Sequence, residues 1–244
     1  MVFAGQARTG WAFPDATVGY IAAHHPDLRM VAFNLGVPAH TSFQTLRVLK
    51  GEFARTDPDI VVYWGASSDN SPASGYSDRV FALLHGGSMY AVRRAVDRSA
   101  FIRWTRTLHG PETEPAIVRP PTTSLSYPRR VDPDHYERNV REMARWCSAH
   151  GAHFLALTRQ HAKSDRGPKL YNERLEQLAG VGLPLLDVRD MYPTAARDSL
   201  MSGYPEDKVH FNEKGYRLVA ERTARRIMQE GWIDSLRARS LQMP

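Results

Sequence analysis

The sequence predicts an α/β protein, a three-layer α/β/α sandwich built on a sheet of about five mainly parallel strands. Strand-like apolar runs alternate about five times with stretches of helical periodicity, which is the pattern of a doubly wound sheet. The run Ile60-Val61-Val62-Tyr63-Trp64 contains no charged position, as expected of a parallel strand covered on both faces. The 244 residues, 42% hydrophobic and 24% charged, suit one domain over 1–244 with an ample core.

Val2-Phe3-Ala4 reads as the first buried strand, with Gly5 as its exit. A helix is expected from Thr17 to His25, and a second strand from Arg29 to Phe33 that leads into Asn34-Leu35-Gly36-Val37-Pro38. From Thr41 to Arg55 the apolar residues Phe43, Leu46, Leu49 and Phe53 recur at helical spacing, with Thr41 or Ser42 as cap. Asp57-Pro58-Asp59 introduces the strand that ends at Trp64 and Gly65. The polar Ser-, Gly- and Pro-rich stretch 66–77 is a loop. Residues 78–108 read as mostly helical with a break at Gly86-Gly87.

Residues 110–130 hold five prolines and no periodicity, so they form a long irregular lid or surface loop. It is not a domain linker, because the same alternation resumes after it. A helix from Asp134 to His150, started by Asp132 or Asp134, precedes a strand from His153 to Leu157. A helix from Leu170 to Ala179 and a short strand from Leu183 to Leu186, reaching Asp187, come next. Asp207 and His210 sit on a loop before the last helix, Glu213 to Gln229. No internal repeat appears.

Net charge is +6, largely from arginines spread over several expected helices. They read as solvated helix faces; no aromatic-interleaved basic motif marks a specific nucleic-acid site, and weak, salt-sensitive binding of anionic polymers is the outside alternative. The single Cys147 lies in a helical pattern and excludes an internal disulfide. No run of about 18 apolar residues suggests a membrane span. The chain as it stands reads as cytoplasmic, although the abrupt start of the first strand at Met1 leaves room for an upstream targeting or anchoring segment. Nothing in the sequence bears on oligomeric state.

In doubly wound sheets, ligands bind beyond the carboxyl ends of the strands. That directs attention to the loops after Ala4, Phe33, Trp64 and Leu157, and to the segment bearing Asp207 and His210. A carboxylate three residues before a histidine can set the tautomer and basicity of the imidazole, the base half of a nucleophilic catalyst. The other histidines show no H-x-x-x-H or H-E-x-x-H spacing, so no metal or cofactor is expected. His40 and His161 fall at the ligand-binding edge.

Four pieces of these loops, in order, resemble the SGNH (GDSL-like) hydrolase family over nearly the whole chain. Gly5-Gln6-Ala7 stands where the family has its Gly-Asp-Ser block, and Asn34-Leu35-Gly36 resembles the second block. Gly65-Ala66-Ser67-Ser68-Asp69-Asn70 resembles the third, Gly-x-Asn-Asp, and Asp207-Lys208-Val209-His210 the fifth, Asp-x-x-His. The resemblance implies the flavodoxin-like sandwich fold and acyl-ester hydrolysis. In that chemistry His210 is the base and Asp207 its orienter. Gly36, with Ser67 or Ser68 in place of the missing asparagine, would donate to the oxyanion. Arg8, His40, Asp69 and Asn70 are the expected substrate-binding residues, and the ligand expected is a small acyl ester or acylated saccharide.

The nucleophile position, however, holds Ala7, which has no group to attack a carbonyl. Among nearby hydroxyls, Thr9 remains a candidate nucleophile and Ser42 reads as a cap. Ser67 and Ser68 read as replacement oxyanion donors rather than as nucleophiles. Three readings stay open: an altered and inactive esterase, a non-catalytic protein that binds an acylated ligand or partner, or direct activation of water by Asp207 and His210.

Overall fold

The structure, a computed structural model, describes residues 1–5, 13–73, 77–85, 129–159, 166–189, 197–203 and 207–240. Five parallel strands form the central sheet: β1 (Val2–Gly5), β2 (Phe33–Asn34), β3 (Ile60–Trp64), β4 (His153–Leu157) and β5 (Leu185–Leu186), in the order β2-β1-β3-β4-β5. The helices before the long loop are α1 (Phe13–His24), α2 (Ser42–Thr56) and α3 (Asp78–His85). After it come α4 (Pro133–Ala149), α5 (Arg166–Ala179) and the single turn α6 (Arg197–Leu200). An antiparallel ribbon of β6 (Met201–Gly203) and β7 (Asp207–Phe211) leads into α7 (Glu213–Gln229) and α8 (Trp232–Ser240).

The alternation of side chains along the strands creates the three layers. Ile60, Val62 and Trp64 of β3 and Leu155 and Leu157 of β4 enter one core with Phe13 and Ile21 of α1 and Val219, Ala220 and Ile227 of α7. Val61, Tyr63, Phe154 and Ala156 point the other way, into a core with Leu49 of α2, Val140 and Met143 of α4 and Leu175 of α5. Every residue of β3 is buried, as its uninterrupted apolar run predicts. Cys147 is a buried free thiol of the second core, and burial pushes it up to about 12, which keeps it protonated at neutral pH. Among the described residues no helix is long and apolar enough to cross a membrane.

The caps explain where the helices begin. Thr41 closes a capping box with Gln44 at the start of α2, and Asp132 accepts from the amides of Asp134 and His135 at the start of α4. Two expected strands shrink to two residues each, β2 and β5, because they form the sheet edges and pair on one side only. Two helices start earlier than their apolar periodicity suggested. Pro14 in α1 and Pro168 in α5 fall in first turns, where a missing amide hydrogen costs nothing. The helix α8, which the sequence did not suggest, follows Gly231 at φ 70° and buries Trp232 and Ile233. The segment expected as a loop around Asp207 and His210 is a strand, held by its pairing with β6. The helix expected to continue beyond His85, with its Gly86-Gly87 break, lies outside the described residues, as do positions 110–128 of the long loop.

Gly215, in the first turn of α7, shows how tightly this ribbon is seated. A Cβ there would stand 2.6 Å from the Leu200 carbonyl oxygen and 2.7 Å from the Phe211 ring. Alanine normally gains about 1 kcal/mol over glycine in a helix, but forcing a methyl into packed backbone costs about 1–3 kcal/mol. Gly215→Ala is therefore expected to lower stability in urea denaturation; an increase would show that the ribbon and α7 are not in this contact.

Candidate active site

The chain passes from β1 outward to β2 and then returns across β1 to β3, so the topological switch lies between β1 and β3. In open α/β sheets, ligands bind beyond the carboxyl ends of the strands at such a switch. Gly5 is level with Trp64 and Phe3 with Asn34, so the loops after β1, β2 and β3 leave the sheet side by side.

Trp64 gathers the surrounding elements. Its ring lies 5.3 Å from Phe13 at the start of α1, 5.9 Å from Phe211 at the end of β7 and 6.0 Å from Tyr216 in α7. The guanidinium of Arg159, just after β4, stacks over it at 5.3 Å. The indole N–H donates to the Thr158 carbonyl at 3.0 Å, which satisfies the one polar group of a nearly fully buried side chain.

His210 is half-buried in β7, immediately before Phe211. The chain is fixed on both sides of it. Phe211 packs on Trp64 and Tyr216, while the next residue, Asn212, caps α7 by accepting from the Gly215 amide at 3.0 Å. The Asn212 amides also donate to the Leu200 and Ser199 carbonyls. The run His-Phe-Asn-Glu-Lys-Gly-Tyr is thus a positioning device: an aromatic anchor, a helix cap and a glycine that admits the ribbon. The backbone of Asp207 pairs with Gly203, and its side chain lies outside the described residues. Gln6, Ala7, Arg8, Thr9 and His161 also lie outside them.

The loop after β3 is a series of tight turns. Gly65 is required because a Cβ would fall 2.1 Å from the Tyr63 hydroxyl oxygen, and Ala66 adopts φ 90°, a costly conformation for a residue with a Cβ. Ser67 is half-buried, Ser68 buried and Asn70 half-buried, its amide donating to the Ala66 carbonyl at 3.4 Å.

Asp69 differs from its expected substrate-binding part. It is fully buried, and its Oδ1 accepts from both the amide and the hydroxyl of Ser42, at 2.9 and 2.5 Å. Asn139 of α4 donates to the same Ser42 hydroxyl at 2.9 Å. Asp69 therefore ties the loop after β3 to the start of α2 and to α4, and Ser42 is its donor rather than the cap.

Gly36 differs too. Its amide donates to Asn34 Oδ1 at 2.9 Å within the loop, and the left-handed residue of this turn is Ala39 at φ 63°. His40 is half-buried with its amide on the Val37 carbonyl. Burial, and then the charge of Arg130, hold its imidazole below the usual range, with Asp78 opposing. The sequence signals for His40 and Gly36 place them on the loop after β2 without revealing these bonds.

Two groups at this edge escaped sequence reasoning. Arg159 is buried, with its backbone clasped by Asn172, which accepts from the Arg159 amide at 2.8 Å and donates to its carbonyl at 2.6 Å. Thr158 donates to Asp187 at 2.8 Å and accepts from the Val188 amide, joining the ends of β4 and β5. Burial would raise the Asp187 carboxyl, but the bonds from Arg189 and Thr158 outweigh it and hold it at about 2. A polar Thr-Arg pair directly after a buried strand was the available signal.

Burial pushes the Asp69 carboxyl up to about 6, against the downward pull of the Ser42 bonds and of Arg130. The folded chain thus holds a proton that the unfolded chain releases near the ordinary carboxylate value, so this group's contribution to stability falls as pH rises from about 4 to about 6. Asp69→Asn cannot ionise. Its stability relative to the native chain, from urea midpoints at pH 4 and pH 7, is expected to improve by roughly 2–3 kcal/mol with rising pH. A difference that does not change with pH would mean that Asp69 ionises as freely as in the unfolded chain.

No family model and no curated protein sequence matches the chain. Solved structures do. A lipase/acylhydrolase from Enterococcus faecalis superposes with a TM-score of 0.59 at 18% identity, over 94% of this chain and 95% of that one. An acetylxylan esterase from Geobacillus stearothermophilus, solved as a catalytic mutant with a histidine replaced by alanine, gives 0.59 at 13% identity over 93% and 92%. A GDSL-like lipase from Bacteroides thetaiotaomicron gives 0.51 at 13% identity over 94% and 87%. With its switch between β1 and β3, this chain has the fold of the SGNH (GDSL-like) hydrolases.

Proposed function

We propose that the carboxyl end of the sheet beside Trp64 is an acyl-ester site that keeps its general base, His210, and lacks its serine. The reading is carried by one observation: Phe211 packs against Trp64 at the carboxyl end of β3, so the adjoining residue His210 belongs to the strand end at the switch point. Asp207 would orient the imidazole, and the backbone amides of the loop after β1, with the Gly36 amide once released from Asn34, would receive the developing oxyanion. Ser67 and Ser68 follow Gly65 on the third loop, where a hydroxyl can donate one further bond.

With Ala7 at the nucleophile position no acyl-enzyme can form there. Loss of a triad nucleophile removes several orders of magnitude in rate and leaves the binding groups in place. The chain then holds an acyl ester without turning it over at an enzymatic rate. A small acyl group on a saccharide suits the reading, since acetylxylan esterases are among the proteins that share the fold. Arg8 and His40 are the candidates for ligand contact on the first two loops, and Asn70 on the third.

Hydrolysis of a short-chain nitrophenyl ester tests this. The native chain is expected to show close to background turnover, and Ala7→Ser to raise it by about a hundredfold or more. Adding His210→Ala to Ala7→Ser should abolish the gain. Native turnover that is lost in His210→Ala but insensitive to fluorophosphonates would replace this reading with direct activation of water. No gain from Ala7→Ser would remove the acyl-ester site.

A further inference from the structure

On the side of the loop after β3 away from Trp64, a groove of about 380 Å³ opens between α2 and α4. Phe43 and Leu46 of α2 give it an apolar floor, and both are half-buried. Its walls are rich in arginine. Arg138, Arg141 and Arg145 recur at helical spacing on one face of α4, and Arg79 projects from α3.

Charge compensation separates these arginines. Asp78 binds Arg130 at 3.0 Å, and Glu137 binds Arg141 at 2.6 Å. Of the acids in the wall, Glu142 is paired with Lys50 at 2.8 Å, while Asp132 is hydrogen-bonded to His135 and to the first amides of α4. Arg79, Arg138 and Arg145 have no carboxylate partner among the described residues. Elsewhere on the surface, Arg217, Arg225 and Arg226 each pair with a glutamate one helical turn away, the usual state of a solvated helix face.

Arg79 is also held in place by a partner that leaves its charge intact. Its Nη1 lies 2.8 Å from His135 Nε2, and because a guanidinium only donates, Nε2 must accept. The ring proton then sits on Nδ1, directed at Asp132 Oδ2. His135 thus bridges Asp132 and Arg79 at the mouth of the groove. Three guanidinium groups without a carboxylate partner outweigh the one carboxylate of Asp132 in this concavity and leave a positive potential, and their planar forks match tetrahedral oxyanions.

We propose that this groove binds a multiply charged oxyanion of the phosphate or sulfate class through Arg79, Arg138 and Arg145, with Phe43 and Leu46 beneath the rest of the ligand. The site is separate from the acyl-ester reading and stands if that reading falls. The same anion chemistry is offered by a free polyanion or by an anionic saccharide.

Calorimetric titration of the full chain at about 0.15 M salt tests the site, with inorganic pyrophosphate in one arm and a sulfated disaccharide in the other. Saturable binding of one equivalent is expected, weakened by about tenfold or more in Arg138→Ala/Arg145→Ala. Arg217→Ala/Arg225→Ala removes the same charge outside the groove and is expected to change affinity by less than about twofold. Tighter binding of the disaccharide assigns the anion to a saccharide, and equal or tighter binding of pyrophosphate assigns it to a free polyanion. The proposal is overturned if neither probe saturates or if both double variants weaken binding equally. Binding confined to duplex DNA, falling steeply with salt, overturns it as well.

Discussion

The packing around Trp64 is the constraint on which the site depends. β3 delivers this ring to the carboxyl edge of the sheet, level with Gly5, and the start of α1, the end of β7 and the first turn of α7 close upon it. Removing a buried aromatic of this kind costs about 3–5 kcal/mol, a large share of the stability of an ordinary domain. The sequence neighbours of the expected catalytic positions are therefore fixed by the core itself. Phe13 at the start of α1 and Phe211, the residue after His210, both belong to this core. Arg159 shields the ring from the β4 side, with its backbone clasped by Asn172.

A second constraint runs through Asp69. A buried carboxylate is costly, and this one is tolerated because Ser42 supplies two hydrogen bonds to Oδ1 and Asn139 supports the hydroxyl that makes one of them. The loop after β3 is thereby tied to two helices of the opposite layer, while its first residues take the strained turn at Ala66. Arg130 extends the same framework, bonded to Asp78, Gln44 and the Ala39 carbonyl. One arginine thus joins the loop after β2, the start of α3 and the return of the long loop. Arg130 and Asn139 of this framework also line the groove between α2 and α4.

The layers of the fold were legible because periodicity reports burial directly. The uninterrupted Ile60–Trp64 run, the spacing of Phe43, Leu46, Leu49 and Phe53, and the caps near Thr41 and Asp132 are all local signals. Edge strands were overextended, since a strand paired on one side keeps few ladder bonds, and the β6–β7 ribbon was missed because its partner lies outside the motif. At the site, motif order located the loops and the histidine. The burial of Asp69, the bond from the Gly36 amide to Asn34 and the clasp on Arg159 are tertiary, and residue identity alone carries none of them. Arg79, Arg138 and Arg145 read in the sequence only as helix-face charges, because the lack of a carboxylate partner among the described residues is a tertiary property.

The proposed site pairs a base, His210, with a position 7 that lacks a nucleophile. Its most direct test is a crystal structure of Ala7→Ser after reaction with a short alkyl fluorophosphonate. The expected result is an adduct at position 7 with the His210 imidazole within hydrogen-bonding reach, about 3 Å, and the phosphoryl oxygen directed at the amides of the loops after β1 and β2. An unlabelled protein, or an adduct with His210 turned away from it, would contradict the account.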